Sequence, residues 1–439
     1  MIPSKPDIAR EVGLRYFTNR FCLDETAGSQ NTSERIGDLP IQYPRAREIR
    51  TDCDALVLDG LRLPTFQQVR RVDGRPILVC LSKTGPRPVA ALENGALELG
   101  FDPWLCMGAG LMGVLPSPTM VDFRFDALTG TPWVDRFANR LAAELVGLGG
   151  ELRSIPRWPN KAPFALCLTH DVDRVRKTFQ YLTHLGPRRS LRIANQHRSL
   201  TRRPYWGFEE LRRIEKDSGV RSTIFVLHEG REGEMTGLRG RLLSWGLADF
   251  AQPELAQEVQ SLAENGWEIG LHASLSSVGR PSRISSEKRL LEDLLHVTTA
   301  GVRQHYLRLD LPRRWEEFAN AGFVYDSSYG FRDRWGFRSG SAFPFQLWGR
   351  DTGLDLWELP LHLMEATLEH ADDPATECTR MLDEVASVGG VMTVLFHQRY
   401  FDSRNYPGYT ELYQRILREA TARGAWIGRA ADMLEAWTS

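Results

Sequence analysis

Two aspartates stand two residues apart at the end of the apolar run FALCLTHDVD: Asp171 and Asp173. Residues two apart on a strand point to the same side, so both carboxylates could face one pocket. The two members of such a pair can have different roles, because one carboxylate can ligate a cation while the other acts as a base. A helix N-cap is the alternative, and it explains one aspartate better than two. The spacing therefore favours a catalytic or metal-binding pair.

A histidine ends the third predicted strand of this region, counted from FALCLTHDVD. His272 ends WEIGLH, and Ser276 lies four residues later, on the same face if a helical turn begins there. Imidazole and carboxylate together suit zinc and similar ions. A lone histidine at a strand end is usually a hydrogen-bonding residue, but beside the aspartate pair we predict that His272 is a metal ligand.

Two later strands also end in polar residues. Arg303 and His305 have period-two spacing on the predicted strand VRQHYLRLD. Arg303 could hold a catalytic carboxylate in its charged form, and His305 could complete the metal shell or contact substrate. A structural ion pair and a satisfied polar side chain explain these two residues equally well. His397 ends VMTVLF, where a pKa near neutrality would let it protonate a leaving amine.

The elements that must position these residues alternate between strand and helix from about residue 160 onward. The predicted strands are FALCLTHDVD, STIFVLH, WEIGLH, VRQHYLRLD, FVYDSS, LWELPLHLM, VMTVLFH and AWIGRA. Apolar strands separated by helices imply parallel pairing with both faces covered, which a (β/α) barrel satisfies. Barrel active sites lie at the carboxyl ends of the strands, where the polar residues above are found.

The preceding residues predict a smaller α/β accessory domain over 1–155, with no catalytic constellation of its own. Its predicted elements are strands at Asp54–Leu58 and Ile77–Leu81 and a helix at Trp133–Leu148. The proline-rich stretch RSIPRWPNKAPF is expected to link it to a catalytic domain over 160–439, because proline removes backbone donors and breaks regular elements.

Composition excludes several classes of protein. Across 439 residues the formal charge is -1, which makes neither nucleic acid nor an anionic membrane surface an expected partner. We see no secretory signal and no apolar run long enough to span a membrane, so we expect a cytoplasmic protein. The cysteines lack metal-site spacing and are expected to be free thiols: Cys22, Cys53, Cys80, Cys106, Cys167 and Cys378.

An ordered set of motifs makes the interpretation more specific. THDVD, GWEIGLHASLSS, VRQHYLR, GFVYDSSYGFRDRWGFRSG and VLFHQ follow one another in this order. The set resembles the NodB-type polysaccharide deacetylase superfamily (carbohydrate esterase family four), and within it the THDVD-bearing branch with an extra N-terminal domain. The match covers about residues 160–439.

The resemblance implies a distorted (β/α) barrel that removes acetyl groups from N-acetylated or O-acetylated sugars. It implies one divalent metal, zinc in the first place, with cobalt, nickel or manganese as alternatives. It assigns roles to five residues: base (Asp171), metal ligands (Asp173 and His272), arginine that orients the base (Arg303) and general acid (His397).

One position departs from the family pattern. Ser276 stands where the family's H-x-x-x-H element has its second histidine, and a neutral hydroxyl is a poorer ligand than imidazole. Ser274, His305 and His228 are possible substitutes. Two other functions therefore stay open: a non-catalytic sugar-binding or scaffold protein of a polysaccharide assembly system, and a hydrolase of another non-peptide C–N amide bond.

Overall fold

A computed structural model of the chain describes most of the second half of the sequence and scattered parts of the first. The described residues are 6–22, 35–36, 39–42, 53–58, 61–63, 75–82, 85–93, 96–99, 107–108, 111, 129–147, 153–176, 205–229, 247–296, 298–350 and 352–439. They divide into two compact units: Met1–Arg157 with Phe337–Gly353, and Trp158–Gly336 with Leu354–Ser439.

The described α-helices are α1 Pro6–Arg20, α2 Trp133–Gly147, α3 Phe208–Asp217, α4 Pro253–Glu264, α5 Pro281–Leu295, α6 Arg313–Asn320, α7 Pro374–Val388, α8 Tyr409–Ala422 and α9 Ala430–Thr438. Short 3₁₀ turns lie at Pro159–Lys161, Leu275–Ser277, His305–Leu307, Glu365–His370 and Gln398–Phe401.

The described strands are β1 Phe21–Cys22, β2 Arg35–Ile36, β3 Leu39–Gln42, β4 Cys53–Leu58, β5 Leu61–Leu63, β6 Arg75–Ser82, β7 Gly85–Glu93, β8 Ala96–Leu99, β9 Arg153–Ser154, β10 Ala165–Val172, β11 Thr223–Leu227, β12 Glu268–Ala273, β13 Gly301–Gln304, β14 Tyr325–Asp326, β15 Phe345–Trp348, β16 Gly353–Glu358, β17 Leu363–Met364, β18 Val391–Leu395 and β19 Trp426–Gly428.

The first unit contains a seven-stranded sheet in the order β2-β3-β8-β7-β6-β4-β5. Its neighbours are antiparallel except β3 and β8, which run parallel. The expected strands near 54–58 and 77–81 are β4 and β6, and the expected helix from Trp133 is α2. Residues Phe337–Gly353 also belong to this unit, although they interrupt the second unit in sequence.

The second unit is built on a parallel sheet in the order β16-β14-β13-β12-β11-β10-β18-β17, with β19 added beside β10. Every residue of β10, β11 and β18 is buried. Burial on both faces explains why these strands read as continuous apolar runs rather than as alternating patterns. The predicted strand and helix alternation is confirmed.

The two ends of this sheet come close together. Glu358 ends β16 at one side, and Leu363 begins β17 at the other side only five residues later. Five residues reach at most about 17 Å, so the sheet has to curl. Leu361 in this connection packs in a buried cluster with Leu307 and Leu395. A distorted (β/α) barrel, as the sequence predicts, describes this unit.

Two predicted strands are wrong in extent. The segment VRQHYLRLD forms strand only as far as Gln304, because Tyr306 has φ 59°, a left-handed conformation that cannot continue a strand. His305 therefore begins a 3₁₀ turn instead of sharing a strand face with Arg303. LWELPLHLM forms two strands, β16 and β17, at opposite ends of the sheet.

Among the described helices, none combines the length and the hydropathy of a membrane-spanning segment. Cys167 and Cys378 are buried free thiols, as expected, and the side chains of the other four cysteines lie outside the described residues.

Candidate metal centre and active site

The carboxylate of Asp173, one residue beyond β10, lies at the centre of the polar cluster. Its Oδ1 atom is 3.0 Å from His272 Nε2 and 3.8 Å from His305 Nε2. Its Oδ2 atom is 3.1 Å from His397 Nε2 and 3.3 Å from Arg399 Nη1. All five residues lie at or just beyond the carboxyl ends of strands, which meet at one mouth of a barrel.

Three of these residues can hold a cation. The ligand atoms of Asp173, His272 and His305 lie within 4.8 Å of one another. His272 Nε2 and Asp173 Oδ1 are buried and make no hydrogen bond, although they are 3.0 Å apart. Two ligands bound to one zinc ion at about 2.1 Å are separated by about 3.0–3.4 Å. Because unpaired buried polar atoms are costly, this pair fits a divalent metal well.

The hydrogen bonds behind the two histidines point their Nε2 atoms toward the candidate metal position. His272 Nδ1 lies 3.0 Å from the backbone carbonyl of Arg303, so Nδ1 carries the hydrogen. His305 Nδ1 lies 3.4 Å from Glu229 Oε2. Metal-bound histidines usually donate their other nitrogen to a carbonyl or carboxylate in this way.

Charges in the cluster favour an ionised Asp173. Burial works against its charge, but His397 and His305 outweigh it and hold the pKa of Asp173 well below its usual range. Burial also disfavours a charged His272, yet Asp171 and Asp173 raise the pKa of this ring. The raised pKa means that protons compete with a metal for this ring, so acid should weaken metal binding.

Ser276, which stands at the position of the family's second histidine, contacts Glu229 and Ser274. Its hydroxyl donates to Glu229 Oε1 at 3.0 Å and lies 2.9 Å from Ser274 Oγ. Glu229 is in turn the carboxylate that faces His305. His228, another possible substitute, pairs with Asp249 at 2.7 Å. Of the candidates for a third ligand, His305 is the one that lies beside Asp173 and His272.

The predicted base and its arginine are in contact. Arg303 Nη1 donates to Asp171 Oδ1 at 3.0 Å and to Thr169 Oγ1 at 2.7 Å. The same guanidinium donates to Ser327 through Nε at 2.7 Å and Nη2 at 2.8 Å. Asp171 Oδ2 is 3.7 Å from His272 Nε2, so the carboxylate borders the candidate metal position. Four bonds leave the buried arginine one orientation, and the ion pair orients Asp171.

His397 is paired with a carboxylate that the sequence did not reveal. Glu365, fully buried, lies 2.6 Å from His397 Nδ1. Burial opposes charge on the ring, but Glu365 and Asp173 overcome this and raise the pKa of His397 to about 10. The ring is therefore an imidazolium at neutral pH, with its Nε2–H turned toward the centre.

Glu229, Glu365 and Arg399 complete the cluster but were not predicted. Glu229 had a detectable signal, since it lies two residues after β11, at the strand edge where the other polar residues end. Arg399 follows His397 by two residues. Glu365 begins a 3₁₀ turn after β17, a strand that the sequence did not separate from β16.

No protein-family model matches the chain, and no curated protein matches it. Solved structures similar to it include a Mycobacterium smegmatis protein assigned as a polysaccharide deacetylase, with 19% identity over 64% of this chain and 92% of the other, and a TM-score of 0.45. The PuuE allantoinase matches with 16% identity over 67% of this chain and 96% of the other, and a TM-score of 0.46.

A Pseudomonas aeruginosa protein assigned as a polysaccharide deacetylase matches with 14% identity over 67% of this chain and 96% of the other, at a TM-score of 0.44. The names of these structures include two different activities, polysaccharide deacetylase and allantoinase. At such identities the function has to be inferred from the residues of the site itself.

The assignment of His305 as a ligand predicts a contrast between two histidines that each follow a strand of the barrel. His305→Ala should lower zinc affinity by at least about 100-fold, since loss of an outer partner alone typically costs 10–100-fold. His228→Ala is the matched control and should keep stoichiometric zinc. Metal analysis of each purified variant measures the zinc stoichiometry, and a competition titration measures the zinc affinity. Zinc loss in His228→Ala with retention in His305→Ala would contradict the assignment.

Proposed function

We propose that residues 160–439 form a metal-dependent hydrolase that removes acetyl groups from an N-acetylated or O-acetylated sugar of a bacterial surface polysaccharide or its precursor. The observation that carries the proposal is the unbonded pair of Asp173 Oδ1 and His272 Nε2, which are 3.0 Å apart. The carboxylate of Asp171 lies beside His272, and the charged ring of His397 lies beside Asp173. The ordered motifs that resemble the polysaccharide deacetylases support the substrate class.

The ligand set favours zinc. Two imidazoles and one carboxylate are a combination that catalytic zinc sites use, with a further position open to water or substrate. A divalent ion held by Asp173, His272 and His305 would supply a Lewis acid that lowers the pKa of water and polarises the substrate carbonyl.

The chain supplies a base and an acid on opposite sides of Asp173. Asp171, oriented by Arg303, is placed to accept the proton of an attacking water. His397, charged because Glu365 backs it, is placed to give its Nε2 proton to the leaving nitrogen or oxygen. Hydrolysis consumes one water, and the two proton transfers leave acetate and the free amine or alcohol.

A non-catalytic sugar-binding protein fits this geometry less well. The serine at position 276 favoured that function, because it removes an imidazole from the expected ligand set. His305 provides an imidazole from a different element, and Ser276 supports it through Glu229. A protein that only binds sugar has no need for an oriented base and a protonated acid together.

Two conservative substitutions separate the roles of the aspartates. Asp171→Asn should lower kcat for acetate release by about 10²–10⁴-fold, the usual contribution of a general base, while zinc content stays that of the wild type. Asp173→Asn should lower zinc content, and chelation should abolish release by the wild type. Acetylated chito-oligosaccharides serve as the probe, with acetate measured enzymatically. Normal turnover in the Asp171 variant would falsify the base assignment.

The pairing of His397 with Glu365 predicts a pH dependence. A raised pKa means that the acid form is present below about 10 and is lost as the pH rises through that value. Glu365→Gln removes the carboxylate that raises the pKa, so the acid form should be lost at lower pH. The alkaline limb of the kcat profile should move toward neutrality, with the acidic limb unchanged. An alkaline limb that stays in place would argue against His397 as the acid.

A further inference from the structure

His170, the second residue of THDVD, has no part in the reaction described above. It lies between Thr169 and Asp171, whose side chains both reach Arg303 on β13. Because two strands separate β13 from β10, these contacts cross the barrel interior. Alternation along β10 then turns His170 to the outside, under the helices, where it is completely buried.

Both ring nitrogens of His170 face acceptors. Nδ1 lies 2.6 Å from the backbone carbonyl oxygen of Phe396, and Nε2 lies 2.9 Å from Glu215 Oε1 on α3. A carbonyl oxygen only accepts, so Nδ1 must carry a hydrogen.

Glu215 is held in place by three further donors. The Tyr413 hydroxyl donates to Oε1 at 2.8 Å, while the Trp267 indole and the Ser222 hydroxyl donate to Oε2 at 2.7 and 3.0 Å. His170 is therefore fixed between α3 and the end of β18, with its Nδ1–H directed at the Phe396 carbonyl.

Phe396 is the residue immediately before His397. Its N–H donates to the Thr169 carbonyl at 3.0 Å, and its C=O accepts from His170, so β10 holds both backbone groups of this residue. The Phe396 carbonyl shares one rigid peptide plane with the nitrogen and Cα of His397. Anchoring that oxygen therefore sets the direction in which His397 leaves the strand.

We propose that His170 is a positioning residue, which acts through the Phe396 carbonyl to place the His397 ring between Glu365 and Asp173. This inference rests on the proposed role of His397 as general acid. The competing explanation is that the buried contact between His170 and Glu215 affects only the stability of the domain.

Two substitutions of His170 distinguish its contact with Phe396 from its contact with Glu215. His170→Asn keeps a donor near the Nδ1 position, facing Phe396, whereas His170→Gln places its donor near the Nε2 position, facing Glu215. We expect His170→Gln to lower kcat at least about tenfold with KM within about twofold, and His170→Asn to stay within about threefold, since misplacement of about 1 Å can cost 10²-fold. Zinc content should match the wild type in both.

A spectroscopic measurement tests placement without any substrate. In the zinc-loaded protein with ¹⁵N-labelled histidine, the ring signals of His397 should shift in His170→Gln and stay in place in His170→Asn. Tyr413→Phe is the control, because it removes a hydroxyl that contacts Glu215 and His170 Nε2 but keeps the ring that packs against Phe396. It should lower thermal stability while leaving kcat and the His397 signals as in the wild type.

These experiments distinguish a failure of the positioning role from a failure of the proposed deacetylase function. A wild type without acetate release, whose His397 signals still move only in His170→Gln, would overturn the deacetylase and support the positioning role. Unmoved signals in His170→Gln, or equal losses of kcat in the Gln and Asn variants, would overturn the positioning role. If His170→Gln does not fold, Glu215→Gln should keep kcat within about threefold because Nδ1 still donates, and a larger loss would contradict the proposal.

Discussion

The carboxylate of Asp173 is largely buried, and its two oxygens face different partners. Oδ1 faces His272 and His305, while Oδ2 faces His397 and Arg399. A buried charge is tolerated only when it is paired, and this one is paired on both sides. A carboxylate has two oxygens in one plane, so the ligand side and the acid side cannot be adjusted independently. The strands that carry these residues must therefore hold their relative register closely.

The barrel meets that demand through β10, which pairs with three strands: β18, β19 and β11. Its outward residue His170 anchors the end of β18, and its inward residues Thr169 and Asp171 receive the guanidinium of Arg303 from across the barrel. Nearly every residue of the motif THDVD thus makes a contact that links β10 to the end of another strand. This gives a physical reason for the motif's composition beyond its two aspartates.

Much of the arrangement follows from strand ends that are visible in the sequence. Asp171, Asp173, His272, Arg303 and His397 are brought together because parallel strands present their carboxyl ends at one mouth. The positions that could not be predicted depend on turns. Tyr306 adopts a left-handed conformation that takes His305 off the strand, and Glu365 follows a break between β16 and β17 inside one apolar run. Local residue patterns do not encode where such turns direct a side chain.

The central claim is that Asp173, His272 and His305 ligate one metal ion. Zinc-edge X-ray absorption on the zinc-loaded protein tests it most directly. The account predicts nitrogen and oxygen ligands at about 2.0–2.2 Å, with the multiple scattering of two imidazole rings and of one ring after His305→Ala. Absence of bound zinc, sulfur ligands near 2.3 Å, or two imidazole rings that persist in His305→Ala would contradict it.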